Sequence, residues 1–385
     1  MAYRLWPIVF AGCYRIITGQ NDHCSIGTVM KHATNKSPAM TRLRFVSLAT
    51  VITIYLLILV GGIVRATGSG MGCPDWPTCF GSWIPPTSEA QLPADYQTIY
   101  AERGYADTTF NVRKTWTEYL NRLMGVFTGL WIIATMICAF PYRSSDKRLV
   151  YAAVAGVALV VFQGWLGSRV VASNLAPGMI TLHMLLAQVI VCLLIYTFLR
   201  ANRSNLINAS RQPLSKIARC VMFAAIVLTF LQVLLGTQVR EAIDIVARAH
   251  EHDNRHLWIT SLPTVFPLHR ILAYPTVAVN LALVIMIFRE RGLPASARVV
   301  ASGIMLLTAG SMVMGLSLDR LHVPVFAQPL HLWLASMIIG GLYYLFVVNH
   351  YAAHKAGDEL SDSLENRAAE TAKPTAGGLN QNLAG

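Results

Sequence analysis

The sequence predicts an all-α integral membrane protein: eight transmembrane helices arranged as two tandem, pseudo-symmetric four-helix bundles. Three observations carry that expectation: a shortage of charge, eight long apolar stretches, and a weak internal repeat. Of the 385 residues, 54% are hydrophobic and only 13% are charged, against ~25% charged in an ordinary soluble domain. A soluble chain of this length needs more charge to cover its surface. Collagen, coiled coil, a disulfide-rich secreted domain and a disordered chain are excluded. A transmembrane β-barrel is excluded as well, because its strands alternate apolar and polar residues in segments of ~10.

The predicted spans run from Phe45 to Val64, Leu123 to Tyr142, Leu149 to Ser168 and Gly178 to Leu199. A second set follows, from Cys220 to Val239, Ile271 to Phe288, Val299 to Leu318 and Phe326 to Asn349. Each is near the ~20 residues that cross a bilayer as a helix, and backbone groups in hydrocarbon must pair within the segment. Lys and Arg collect in alternate connections: Arg42 and Arg44 before the first span, Arg143, Lys147 and Arg148 after the second, five basic residues from Arg200 to Arg219, and Arg289, Arg291 and Arg298 after the sixth. Short positive loops mark the cytoplasmic side, which puts both termini inside. The net charge of +12 is thereby assigned to topology, leaving no basic face for nucleic acid.

Residues 1–40 match the rest poorly. They lack an A-x-A-like cleavage site, and Met40-Thr-Arg-Leu-Arg reads as a natural start, so this segment is expected to be a disordered extension or the product of a misassigned start. The expected organisation continues as an N-terminal four-helix half (41–200), a cytoplasmic linker (201–216), a C-terminal half (217–352) and a disordered polar tail (353–385). A register of 148 residues relates the halves. Leu268-His269-Arg270 falls on Leu120-Asn121-Arg122, Leu330-His331 on Leu182-His183, and Gly315 on Gly167. The first helices need another offset, Gly236-x-x-Val239-Arg240 facing Gly61-x-x-Val64-Arg65.

Few titratable residues fall near the helices: Glu118, His183, His269 and His331. A single intramembrane His most often serves helix packing, since polar groups there are costly and pair with something. Three at repeat-related positions, all near external helix ends, are a pattern. Two imidazoles on facing helices of an apolar bundle suit axial ligation of haem iron. Zinc would want more ligands, and neither Cys nor carboxylate accompanies the pair; a proton relay competes, though it needs neither pairing nor a large cavity. The N-terminal half keeps His183 but has Asn121, a poor iron ligand, in the other place. Glu118, three residues earlier on the same face, either serves proton transfer or cation stabilisation, or is an interfacial residue paired with Arg122 at i+4. Cys73 and Cys79 in the first external loop admit a disulfide or a redox-active dithiol. Cys138, Cys192 and Cys220 read as packing residues, and His250, His252 and His256 as solvent-exposed.

The run Gly61-Gly-Ile-Val-Arg-Ala-Thr-Gly-Ser-Gly-Met-Gly-Cys-Pro-Asp-Trp-Pro-Thr-Cys-Phe-Gly, with Glu118-Tyr-Leu-Asn-Arg, Leu182-His183, Leu268-His269-Arg270 and Gln328-Pro-Leu-His331, resembles the haem A synthases over roughly residues 42 to 350. The resemblance implies oxidation of the C8 methyl of haem O to the formyl group of haem A, for cytochrome oxidase assembly. It implies a haem b on His269 and His331 that carries electrons, a substrate haem on His183, Glu118 as the catalytic carboxylate, and a Cys73–Cys79 disulfide. The position of Asn121 is usually His in that family. As partners it implies haem O, haem O synthase, oxidase assembly factors, membrane lipid and a possible homo-oligomer, in the bacterial inner membrane. The runner-up is a two-haem, cytochrome b-like electron carrier without haem-modifying activity; a proton-coupled transporter is a third class.

Overall fold

The computed structural model describes residues 37–106, 108–249 and 254–371. Among these residues, eight helices are long and apolar enough to cross a membrane. They are α1 (Pro38–Ala66), α2 (Val112–Ala139), α3 (Lys147–Ala172), α4 (Pro177–Ala201), α5 (Lys216–Ala249), α6 (Val265–Glu290), α7 (Ala295–Arg320) and α8 (Ala327–Thr371). The expected all-α membrane architecture is present.

Local chemistry starts these helices. Pro38 and Pro177 occupy first-turn positions, where the missing N–H is no loss. Asn111 caps α2 by accepting from the Lys114 N–H at 3.1 Å, and Asp146 caps α3 by accepting from Leu149 N–H at 3.1 Å. Asp146 also receives Arg200 Nε at 2.8 Å, so one carboxylate joins the start of α3 to the end of α4.

The helices outrun their apolar segments. Helix α1 begins seven residues before Phe45 because Arg42 and Arg44 ride on it, and long basic side chains reach water from a helical backbone; Arg44 Nε donates to the Ala201 carbonyl at 2.9 Å. Helix α5 continues ten residues past Val239, through what reads in sequence as external loop. The expectation of a disordered tail from 353 needs correction, since α8 stays helical to Thr371. There the pairs His354–Asp358 and Lys355–Glu359 sit at i,i+4, a spacing that supports exposed helix without an apolar face. Residues 1–36 and 372–385, which hold most of the N-terminal extension and the last of the tail, lie outside the described residues.

Within each half the packing closes on itself. Helix α1 packs on α2, α2 on α3, α3 on α4 and α4 on α1; α5 to α8 repeat this circuit. Helices α2 and α4 are therefore diagonal partners, as are α6 and α8. The halves meet chiefly where α8 lies against α1 and α4. Ser336 Oγ on α8 donates to Gln188 Oε1 on α4 at 3.0 Å, in a buried position. Those two residues are equivalents under the 148-residue register, so the repeat meets itself at this contact, as parallel repeats about an axis along the membrane normal do. A Cβ on Gly340 would collide with the Tyr55 hydroxyl, so glycine there sets how closely α8 approaches α1. The buried Thr50–Thr135 hydroxyl contact, 2.8 Å, adds the interhelical hydrogen bonding that steadies bundles in lipid. Large apolar residues such as Leu130, Phe162, Phe223 and Leu306 point outward, the correct surface for hydrocarbon.

Candidate functional site

Near the end that carries the long 67–111 connection, the same two-part station is built four times. Each odd helix presents a glycine, and the even helix that follows presents a polar side chain against it. A Cβ on Gly167, Gly236 or Gly315 would lie 3.3, 3.3 or 3.2 Å from the imidazole Cε1 of His183, His269 or His331 respectively. Any side chain there crowds the ring, so these glycines let each imidazole come close to its neighbouring helix. The fourth station pairs Gly61 with Asn121, whose Oδ1 would be 3.7 Å from such a Cβ, an ordinary contact.

One helical turn before each of these glycines stands a second residue that sequence reasoning missed. Gln163, four before Gly167, donates its amide to the His183 carbonyl at 2.9 Å. Gln232, four before Gly236, does the same to the His269 carbonyl at 2.9 Å, with its amide 3.5 Å from ring Nε2. Ser311, four before Gly315, offers its carbonyl to His331 Nδ1 at 3.0 Å. In the fourth station the place is taken by Leu57. The signal was available in sequence as polar-x-x-x-Gly on α3, α5 and α7, with Gln163 and Ser311 in the 148 register.

In the C-terminal half the diagonal helices bring His269 and His331 together, ring centroids 6.3 Å apart and planes at 79°. Two imidazoles on opposite sides of one metal, each with a metal–nitrogen bond of ~2.0 Å, have centroids about that far apart. Because His331 Nδ1 donates to Ser311, its Nε2 lone pair is free for another partner, the arrangement usual for a metal-binding imidazole. Nδ1 of His269 and Nδ1 of His183 are buried without a hydrogen-bond partner, a costly state unless another group satisfies them. Among the described residues no group of three or more His, Cys, Asp or Glu converges. The donors come as a pair of nitrogens or singly, which fits a haem, whose porphyrin supplies the other four ligands.

The N-terminal half is built differently. Asn121 and His183 are on diagonal helices, and Asn121 Oδ1 is buried without a partner. Glu118, one turn away, is 4% exposed and fully engaged: Oε1 accepts from Arg122 at 2.5 Å and Oε2 from the Cys73 N–H at 2.9 Å. Arg122 then donates to the carbonyls of Asp75, Thr78 and Cys73 at 2.7, 2.9 and 3.3 Å. The i+4 pairing is therefore formed, and it is the clasp of the loop. Gly72 sits so close to α2 that a Cβ would meet the Lys114 carbonyl oxygen at 2.5 Å.

Cys73 and Cys79 form a disulfide in this loop. They are fully buried in a cluster with Phe80, Tyr96 and Tyr105. Burial pushes the Tyr105 phenol above its ordinary pKa, so it stays protonated and donates to the Met71 carbonyl at 2.5 Å. A cavity of about 560 Å³ opens between this loop and the end of α3, with Arg103, Tyr100 and Arg169 on its wall; it lies beside the His183 station rather than between the paired histidines. At the junction of the halves Asp244 binds both Arg65 and Arg240, at 3.0 and 2.9 Å.

Of the remaining sequence expectations, His256 is exposed, and His250 and His252 lie outside the described residues. Cys138 and Cys192 are half-buried, but Cys220, expected to pack, is exposed because it faces outward from α5.

Comparison with known proteins bears on this arrangement. The chain is 24% identical over 336 residues to a protein of Rickettsia prowazekii named heme A synthase, covering 80% of this chain and 98% of that one. A Methylobacterium radiotolerans protein of the same name is 26% identical over 325 residues, 74% of this chain and 84% of its own. One from Shewanella oneidensis is 28% identical over 189 residues, spanning 49% of this chain and about half, 53%, of the relative. The COX15-CtaA family, described as cytochrome oxidase assembly protein, matches residues 44–342, a stretch that contains every histidine station and the clasped loop. The chain belongs to that family.

Proposed function

We propose that this protein is a haem A synthase, an oxidoreductase that converts haem O to haem A by oxidising the C8 methyl of the porphyrin to a formyl group. The observation that carries the reading is the facing pair His269 and His331 in a family of oxidase assembly proteins, with a third half-buried imidazole at the equivalent place in the other half. In this reading residues 217–352 hold a haem b on His269 and His331, and residues 41–200 hold the substrate haem. Bound there, haem b would pass the electrons removed from the methyl group, one at a time, to an external acceptor.

The chain's own residues do the rest. His183 grips the substrate iron from one side, and Asn121, which binds iron poorly, leaves the opposite side open. Gln163 anchors the His183 backbone carbonyl, and Gly167 lets its ring come close to α3. The Glu118 carboxylate puts negative charge at the substrate end of α2, where it stabilises positive charge developing at the oxidised carbon or takes its proton. Arg122 and the Cys73 N–H hold that carboxylate in one orientation while the disulfide-linked loop keeps water from the site. The protein thus supplies orientation and electrostatics to chemistry that the porphyrin carries. The setting is a bacterial inner membrane with cytoplasmic termini, in company with a haem O synthase and oxidase assembly factors, as a monomer or a homo-oligomer.

The test is co-expression with a haem O synthase, followed by chromatography of the extracted haems. Haem A or an oxidised intermediate supports the proposal. Haem b alone, with an intact spectrum, overturns it in favour of a cytochrome b-like electron carrier. Glu118→Gln separates chemistry from anchoring, since the amide still accepts from Cys73 but carries no charge. Loss of conversion with the loop still protease-resistant supports the catalytic role, and full conversion rules it out.

A further inference from the structure

At the end of the molecule opposite the histidines there is a second cavity, of about 90 Å³, whose lining is cationic. It takes Arg148 from the first turn of α3, Arg200 from the last turn of α4, Arg203 just beyond that helix, and His350, Tyr351 and His354 from α8. His331 and Tyr351 are both on α8, and at 1.5 Å per residue the helix carries them about 30 Å apart, the thickness of the hydrocarbon layer. The cavity therefore sits at the level of lipid headgroups, on the side where the short basic loops lie.

Its charges are not balanced from within. Asp146 takes the Nε of Arg200 at 2.8 Å, and Asp358 takes Nδ1 of His354 at 3.0 Å. Neither carboxylate lines the cavity, and no ion pair reaches Arg148 or Arg203 among the described residues. Arg203 Nε is buried without a hydrogen-bond partner, while its guanidinium lies over the Tyr351 ring, 5.9 Å from the centroid, which holds it in place. Arg148 and Arg203 thus converge without an ion pair, beside an Arg200 whose Nε Asp146 already takes. Like charges so placed repel unless an anion lies between them. Guanidinium forks match tetrahedral oxyanions, and basic pockets between transmembrane helices on this side are where acidic phospholipid heads bind.

We propose that this cavity binds a phosphate group, presented by an anionic phospholipid headgroup or as the free anion, and that the bound phosphate clamps α3 and α4 of the first half to α8 of the second. The inference is independent of the haem reading. The full-length protein, purified in neutral detergent, is unfolded thermally during titration with phosphatidylglycerol, phosphatidylcholine or inorganic phosphate. A saturable rise in Tm with phosphatidylglycerol alone supports the site with a lipid headgroup as its source; a rise with inorganic phosphate alone supports it with the free anion. Arg148→Gln combined with Arg203→Gln should weaken the response on the order of tenfold, while Arg289→Gln, at the same end but outside the cavity, should leave it unchanged. If the double variant does not fold, Arg148→Gln alone serves, because that side chain is exposed and its loss breaks no internal bond. No saturable shift with either phosphate source, an equal shift with phosphatidylcholine, or a shift undiminished in the cavity variants would overturn the proposal.

Discussion

The two halves share a packing circuit and differ in what they hold at the same height. In the C-terminal half the diagonal α6 and α8 each offer an imidazole; the Ser311 carbonyl holds the His331 ring at Nδ1, and the Gln232 amide holds the His269 backbone carbonyl. In the N-terminal half the station on α2 differs in both members: Asn121 stands where α6 has His269, and Leu57 where α5 has Gln232. The carboxylate follows the opposite pattern. Glu118 corresponds to Phe266, and Arg122 to Arg270; the first arginine is buried in the loop clasp, whereas the second lies over the Phe266 ring at 5.6 Å. A symmetric pair of ligands suits a permanently held group. A single imidazole beside a fixed carboxylate suits, in the proposed reading, a group that must be reached and released. In the proposed reading, one half of a repeated frame holds a resident haem and the other works on the substrate.

The comparison is broken most severely at the paired histidines. Replacing His331 with Ala should remove one full equivalent of haem b from the purified protein, because His269 alone cannot grip iron from both sides. Pyridine haemochrome quantitation against protein mass checks this, and unchanged haem b content would refute the pairing. Next in size is the loop clasp. Arg122 and Glu118 are 13% and 5% exposed at their side chains, so Arg122→Ala strands a buried carboxylate and several carbonyls at once. A loss of about 3 kcal/mol and rapid proteolysis within residues 67–111 are expected, while Arg270→Ala in the other half, with its side chain 52% exposed, should cost well under about 1 kcal/mol.

How far the sequence reached can be judged from the same residues. The eight spans were legible because the exclusion of charge from hydrocarbon is a strong constraint read over many residues. The histidine stations were legible because a 148-residue register put His331 on His183. Contacts between side chain and backbone were not. Nothing in composition says that Gln163 and Gln232 reach a histidine carbonyl on the next helix, since that depends on interhelical distance, which glycines set. The extension of α5 was missed for a related reason: Arg240, Glu241 and Asp244 read as loop, yet they are held helical by Asp244 bridging Arg65 and Arg240, and by the contact of Glu241 with Thr181. Glu118 was seen with two readings, catalytic or paired with Arg122. The pairing is formed, and only the charge-removing variant separates the roles.

The glycines sharpen the comparison on a finer scale. Gly315→Ala places a methyl 3.2 Å from the His331 ring, closer than carbon atoms rest at their optimal ~3.5–4.0 Å. The ring must tilt, so haem b absorption and reduction potential should shift measurably while the protein still folds. Gly61→Ala, at 3.7 Å from Asn121, should leave both unchanged. An equal response to the two substitutions would mean that the stations are packing contacts without a ligand role.

The smallest effect is also the most telling about ancestry. Asn121→His gives the N-terminal half a second imidazole, but Leu57 offers the carbonyl of that residue no hydrogen bond, so the new histidine should be less firmly held. Adding Leu57→Gln restores the polar-x-x-x-Gly pattern of α5 and should improve the fixation by about 1 kcal/mol, the net worth of one buried hydrogen bond. If one-sided ligation is what lets the substrate react and leave, the double variant should retain haem in the N-terminal half more tightly than Asn121→His alone and turn over more slowly. Haem retention after gel filtration reads the first effect and extracted haem composition the second. Equal retention in the single and double variants would show that Gln232 and its counterparts do not position the histidines at all.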